Sequence, residues 1–292
     1  MREFGVDEAG KGPVLGSMFA AAVVTDPADL PDDVGDSKDI APQRREELAA
    51  EIREIAASVG VAEVSVERID DEETDMNSLT VAAHAEALTA ALGDLDDPPR
   101  APGSAESTAD PDADADSLSG YVDAGDTNAV RFERRVADGV ADRLSTEGSS
   151  IEGDTVEGDT IEGELGAGVA VDVRGEHGAD ETYPVVGAAS IVAKVERDAH
   201  VDRLAAEYGE VGSGYPGDPA TREFLEAYVA EHEALPPCAR ATWKTSRDAL
   251  ADATQSSLGE FEPDGGRTTE SEGDAKADGG RAGPKPTTLD DF

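Results

Sequence analysis

The sequence predicts an α/β fold, and three observations carry that expectation. Short apolar runs of strand length alternate along the chain with segments whose apolar residues recur at helical spacing. Two of those runs, Phe4-Gly5-Val6 and Tyr121-Val122, end in carboxylates, Asp7 with Glu8 in the first case and Asp123 in the second. Setting aside the acid-rich stretches 94–118, 145–166 and 251–292 leaves about 200 residues, ample for one compact core.

The stretch from Phe4 to Pro13 organises the rest. Neighbouring side chains of an extended segment point to opposite faces, so Asp7 and Glu8 reach one site only where the strand ends or bends. Gly10 and Gly12 supply that bend and expose backbone N–H groups, which together with the Lys11 ammonium suit a phosphate oxygen. Carboxylates beside a phosphate cradle imply a cation between them, because bare anions repel. The same letters nearly spell a Walker A loop, but Gly12 stands where that loop needs a hydroxyl, and the two acids would repel a nucleotide.

The remaining elements follow in order. Val14 to Val24 reads as a buried strand, and Pro42 begins a helix running to about Val59. The loop before it offers Ser37 and Lys38 as phosphate contacts. Val61 to Val66 alternates like a strand, and Asn77-Ser78 caps a helix through Leu92, on which His84 reads as a packed or surface histidine. After Asp123 a helix spans about Asn128 to Leu144, capped by Asp126 or Thr127. Residues 145–166 hold three slipped copies of a motif such as Ile151-Glu152-Gly153-Asp154, which reads as a solvated loop rather than a calcium array. Val169 to Val173 is the next strand. Asp180 and Glu181 then precede a helix of small residues, Val185 to Val195, that presents Ser190 and Lys194 one turn apart on one face. A Gly- and Pro-rich turn from Gly212 to Asp218 presents Tyr215 and leads into a helix ending near His232.

The chain has 292 residues, a formal charge of -42 and one cysteine, Cys238, which alone excludes an internal disulfide and a cysteine-based zinc site. About half of the charge lies on the three acid-rich stretches and half on the globular remainder. Only six lysines occur, and Lys11, Lys38, Lys194 and Lys244 each fall inside a compact motif. With no apolar run long enough to cross a bilayer and a strand starting right after Met1-Arg2-Glu3, a cytoplasmic protein is expected.

Taken together these residues resemble the archaeal ribonuclease HII family, the type 2 ribonucleases H. The resemblance rests on Gly5 through Pro13, Asp36-Ser37-Lys38, Tyr121 through Ala124, Ala179-Asp180 with Tyr183-Pro184, Ala188 through Lys194, Gly214-Tyr215-Pro216 and Trp243-Lys244-Thr245, in order over about 250 residues. It implies a ribonuclease H-like mixed five-stranded sheet flanked by helices, with a small helical C-terminal part, all within residues 1–250. It implies four active-site carboxylates, Asp7, Glu8, Asp123 and Asp180, holding two Mg²⁺ or Mn²⁺ ions, with Glu181 as a neighbouring alternative to Asp180. Gly10, Lys11 and Gly12 match the family's sensor of the ribose 2′-hydroxyl and phosphate, and Tyr215 its substrate-sensing tyrosine. Ser37, Lys38, Ser190 and Lys194 complete the expected substrate contacts. The implied reaction cuts the RNA strand of RNA-DNA hybrids and the 5′ side of ribonucleotides embedded in DNA, leaving a 3′-hydroxyl and a 5′-phosphate. Lys11 replaces the commoner arginine, Gly178 a lysine and Gly187 a serine. The acid coat is similar to that of proteins from salt-loving archaea. At about 1 M salt the Debye length is roughly 3 Å, so such a surface repels nucleic acid little.

From about Ala251 the sequence loses hydrophobic period, and a disordered acidic tail, 251–292, is expected. Two of its segments resemble a sliding-clamp (PCNA) docking box: Gln255, Leu258 and Phe261, and at the C-terminal end Leu289 with Phe292. The competing class is a non-catalytic, clamp-associated hybrid binder, which has no need of four acids. A monomer is expected.

Overall fold

The computed structural model describes residues 1–34, 40–96, 118–147 and 171–259. Ser37, Lys38, Phe261, Leu289 and Phe292 lie outside the described residues, as do most of the two acid-rich insertions. Five strands form one mixed sheet in the order β3-β2-β1-β4-β5. They are β1 (Glu3–Ala9), β2 (Met18–Thr25), β3 (Ser58–Val64), β4 (Leu118–Asp123) and β5 (Val171–Glu176).

The central strand β1 pairs antiparallel with β2 and parallel with β4. Its even positions, Phe4 and Val6, join the apolar layer formed by α3 (Met76–Gly93) and α4 (Ala129–Glu147). Its odd positions turn the other way, toward α6 (Pro184–Tyr208): a Cβ built on Gly5 would lie 2.2 Å from the Val185 carbonyl carbon. That face also holds α1 (Pro42–Ile55), packed with β2 and α6 in a second layer. With helices over both faces, every residue of β2 is buried, which explains its run of small apolar side chains.

The structure shifts several expected boundaries. Val14 and Leu15 are not part of β2: Gly16 takes a positive φ of 80°, and both residues pack instead with Leu204, Val211, Leu225, Cys238 and Ala239. Helix α1 stops at Ile55 rather than Val59, because Ser58 and Val59 pair with Val24 and Val23 of β2. Asp75, not Asn77 or Ser78, caps α3, its Oδ1 accepting from the Asn77 and Ser78 N–H groups at 2.9 and 3.1 Å. Asn128 caps α4 through Oδ1 and the Arg131 N–H at 2.9 Å, while the Asp126 carboxylate is taken up by the Arg131 guanidinium. The strand expected at 169–173 is described from Val171, residues 169 and 170 lying outside the described residues, and it extends to Glu176. Short helices α2 (Val66–Ile69) and α5 (Ala179–Thr182) link larger elements.

The C-terminal part comprises α7 (Pro219–His232) and α8 (Lys244–Gly259), which pack together. Between them the chain returns to the N-terminal turn, where Leu15 and Ala239 form an isolated β-bridge. Helix α8 runs on past Leu250 to Gly259, so regular structure continues where the tail was expected to begin, and Gln255 and Leu258 fall on its backbone. Among the described residues no helix is long and apolar enough to cross a membrane.

Candidate active site

The parallel pairing of β1 with β4 sets the site. Val6 is registered against Val122, so the next residues along, Asp7 and Asp123, emerge side by side where the two strands end. β4 in turn pairs with β5 up to Asp123 and Glu176, and β5 leads through a turn at Gly178, with φ of 69°, into α5, which carries Asp180. Carboxyl ends of adjacent parallel strands form a natural crevice.

The strand alternation divides the two adjacent acids. Asp7 points to the α6 layer, is 5% exposed, and faces the fully buried Ser190 hydroxyl, which has no partner in hydrogen-bond geometry. Glu8 points to the α3 layer, where its Oε2 lies 2.8 Å from His84 Nε2. Asp123 Oδ1 accepts from the Ala179 N–H at 3.0 Å. Asp180 is 6% exposed, whereas the neighbouring Glu181 is exposed.

The charges interact strongly. Burial, then the adjacent Glu8 and Asp123 carboxylates, hold the Asp7 carboxyl well above the usual aspartate range, with Ser190 offsetting part of this. Burial also pushes Asp123 up, with Glu8 and Asp180 adding repulsion. For Glu8 burial works in the same direction, but the hydrogen bond and charge of His84 and the Lys11 ammonium outweigh it, leaving the carboxyl below its usual value. Thus three of the four acids feel one another directly, and Asp180 acts on Asp123.

This donor set fits hard divalent cations. A buried Asp7 wedged between two anions, beside an orphaned hydroxyl, lacks the positive charge that would make its ionised form favourable. Among the described residues no three His, Cys, Asp or Glu side chains are already drawn together as a metal-holding group. Each of three acids makes its own protein bond: Glu8 with His84, Asp123 with the Ala179 N–H, and Asp7 Oδ1 with the Glu8 N–H at 2.7 Å. Mutual repulsion favours those protein bonds, and magnesium-type sites typically use one or two carboxylates with water and substrate phosphate.

The glycine-rich turn and the tyrosine meet at one edge of the site. Gly10 takes φ of 89°, and a Cβ on Gly12 would lie 3.7 Å from Tyr215 Cε1. Tyr215 is 43% exposed, with the Arg197 guanidinium 5.1 Å over its ring. Lys11 reaches across the site and donates to the Gly125 carbonyl, tying the turn to the loop after β4. Ser190, expected to touch substrate, is sealed in the core, so it acts on Asp7; Lys194, one turn on, is half-buried.

A ribonuclease HII family profile matches residues 4–96 and 115–246. The chain belongs to the ribonuclease HII family. It is 56% identical over 258 residues to a ribonuclease HII of Haloarcula marismortui, covering 88% of this chain and 99% of the relative. The crystal structure of the ribonuclease H2 from Pyrococcus horikoshii is 31% identical, covers 87% of this chain and 100% of that one, and has a TM-score of 0.63. A ribonuclease HII from Archaeoglobus fulgidus, solved in complex with PCNA, is 32% identical with a TM-score of 0.61, covering 85% of this chain and 96% of that one. The mixed five-stranded sheet is thus the ribonuclease H-like core. Family membership makes the chain an endonuclease hydrolase that degrades the RNA of RNA-DNA hybrids with divalent-metal dependence, and its relatives include proteins of halophilic archaea.

Two roles escaped sequence reading: His84 is packed, one of its two expected readings, but its bond to Glu8 was not anticipated, and Arg240 was not singled out. His84 sits in an Ala- and Leu-rich helix, where burial of a lone imidazole demands a polar partner; that demand was a usable signal. Arg240 lies in an irregular segment with no periodicity to expose its role.

Proposed function

We propose that the chain hydrolyses phosphodiesters on the 5′ side of ribonucleotides, both in RNA-DNA hybrids and singly embedded in duplex DNA, with two Mg²⁺ or Mn²⁺ ions held by Asp7, Glu8, Asp123 and Asp180. The observation that carries this reading is Asp7, buried at the end of the central strand between Glu8 and Asp123. When bound, such ions polarise the scissile phosphate and lower the pKa of an attacking water. Asp7, at the end of the central strand beside Asp123, would be the central ligand of such a site. His84 fixes Glu8 and keeps it ionised, and the Ala179 N–H does the same for one oxygen of Asp123. Asp180, on helix α5 and electrostatically coupled to Asp123, would complete the set. The products are a 3′-hydroxyl and a 5′-phosphate.

Recognition of RNA requires a group that bonds the 2′-hydroxyl. Tyr215, exposed and set against Gly12, supports that role together with the Gly10–Gly12 backbone; Lys11, Lys194, Ser37 and Lys38 are the proposed phosphate contacts. Tyr215→Ala is expected to lower kcat/KM on a duplex with one embedded ribonucleotide about a hundredfold. Its melting temperature and calorimetric Mn²⁺ affinity should stay at wild-type values. Normal cleavage by this variant would remove the tyrosine from recognition.

We also propose that the chain docks on a sliding clamp, a reading supported by the Archaeoglobus relative solved with PCNA. Of the two candidate boxes, Gln255 and Leu258 lie on helix α8, so a peptide-like fit of that copy would require unwinding it. This favours Leu289 and Phe292, with Phe261 belonging to the disfavoured copy. Deleting residues 286–292 should abolish clamp binding in size-exclusion titrations while leaving cleavage of free duplex unchanged; retained binding would point to the copy on α8. The proposed setting is cytoplasmic and the proposed state monomeric.

A further inference from the structure

Arg240 is the largest fully buried side chain among the described residues, and its guanidinium meets no carboxylate in hydrogen-bond contact. Its Nε donates to the Gly16 carbonyl at 2.9 Å, one Nη to the Lys11 carbonyl at 2.9 Å and the other to the Gly10 carbonyl at 2.6 Å. Trp243 lies under it, 4.9 Å from the ring centroid, and donates its Nε1–H to the Gly12 carbonyl at 3.3 Å. The carbonyls of three consecutive residues, Gly10, Lys11 and Gly12, are therefore all drawn toward one point on the C-terminal segment.

That arrangement dictates the other side of the turn. In a trans peptide the C=O and the following N–H point in opposite directions. Anchoring the Gly10 and Lys11 carbonyls to Arg240 turns the Lys11 and Gly12 N–H groups away from it. The Gly12 carbonyl precedes Pro13, which has no N–H, so no donor is stranded there. Neither outward N–H has a backbone partner among the described residues.

The anchor is expensive. Burial lowers the guanidinium to about 10, still charged at neutral pH, with Asp70 as distant support. Asp70 itself is engaged with the Ala241 and Thr242 N–H groups and the Thr242 hydroxyl. An apolar side chain would fill the space without that desolvation. A lysine would keep the charge but lacks the planar fork that spans three diverging acceptors.

We propose that Arg240 is a positioning residue for substrate recognition: from the C-terminal segment it fixes the carbonyl side of the Gly10–Gly12 turn. The Lys11 and Gly12 N–H groups thereby form a preset two-donor cradle for an oxygen of the nucleic acid at the ribonucleotide. This rests on the ribonuclease reading above and deepens it. The oxygen is either the 2′-hydroxyl or the adjacent phosphate, and two duplexes distinguish them.

The test measures, in molar KCl with EDTA, dissociation constants of the full chain for a duplex with one embedded ribonucleotide and for its all-DNA counterpart. Arg240→Lys keeps the charge, so a loss of affinity reports the fork. Leu225→Ala, in the core that Val14 and Leu15 join but contributing none of the bonds to the turn's carbonyls, serves as a matched destabilised control. Arg240→Lys should weaken binding about tenfold or more, the scale of displacements of ~1 Å, while Leu225→Ala lowers the melting temperature without moving either constant. Loss on the ribonucleotide duplex alone assigns the cradle to the 2′-hydroxyl, and equal loss on both assigns it to phosphate. Wild-type constants for folded Arg240→Lys, or an equal loss in Leu225→Ala, would overturn the proposal. Wild-type cleavage of the ribonucleotide duplex with Mn²⁺ is the separate check on the underlying reading, which would fail there whatever Arg240 does.

Discussion

Asp7→Asn is expected to abolish cleavage and, at the same time, to raise the melting temperature of the metal-free chain. Cation stabilisation of transition-state charge contributes several kcal/mol, so losing the proposed ligand should cost at least about a thousandfold in rate. The stability gain follows from the raised carboxyl of Asp7, caused by burial and then by Glu8 and Asp123. The folded state holds that proton more tightly than the unfolded chain. The associated stability is therefore present at acid pH and is lost as pH rises from the unfolded value of 3.8 through the raised folded one. Asp123, also raised, adds to the same slope, while Glu8, lowered by His84 and Lys11, opposes it. Above the unfolded value, keeping Asp7 in the fold costs either the buried charge or the retained proton, and asparagine removes that cost while keeping the shape and an oxygen for the Glu8 N–H. Thermal melts in EDTA across acid and neutral pH should show a shallower decline for the variant. A lower melting temperature at neutral pH, or near-normal turnover with added ion, would contradict the account.

Gly5→Ala is expected to be among the most damaging single methyls in the core. Its Cβ would sit 2.2 Å from the Val185 carbonyl carbon, 2.3 Å from the Val185 oxygen and 2.4 Å from the Val186 nitrogen. These are backbone atoms of α6, so relief requires moving the helix itself, at the upper end of overpacking costs, about 3 kcal/mol or more. For a domain of this size that is a fall of roughly 6–12 °C in melting temperature. Moving α6 also withdraws Ser190 from Asp7, so activity per folded molecule should fall too. Wild-type melting would show that α6 yields without cost.

The sequence made the site more legible than the fold's edges. Asp7, Glu8 and Asp123 could be picked out because acids at strand ends are costly unless they have work to do, and the glycine turn beside them marks a special backbone. The α/β character was readable from apolar runs, whereas the five-stranded order came only through resemblance. The start of β3 was hidden because Ser58 and Val59 suit a helix end as well as a strand, and only pairing with Val23 and Val24 decides. The break at Gly16 was hidden inside an unbroken apolar run, since Val14 and Leu15 are claimed by a core whose other members lie some two hundred residues away. Arg240 was illegible for the same reason: its three acceptors are backbone carbonyls of a distant turn, which leave no mark on side-chain composition. Ser190 is fully buried beside Asp7, a depth that its spacing with Lys194 could not reveal, because spacing gives direction and not depth.

The most direct measurement is cleavage of a duplex carrying one embedded ribonucleotide, in molar KCl, by chelator-treated protein with and without Mn²⁺. The account predicts a single cut on the 5′ side of the ribonucleotide, leaving a 3′-hydroxyl, in the presence of the ion alone. Equal cleavage in EDTA, or no cut with Mn²⁺ restored, would contradict it.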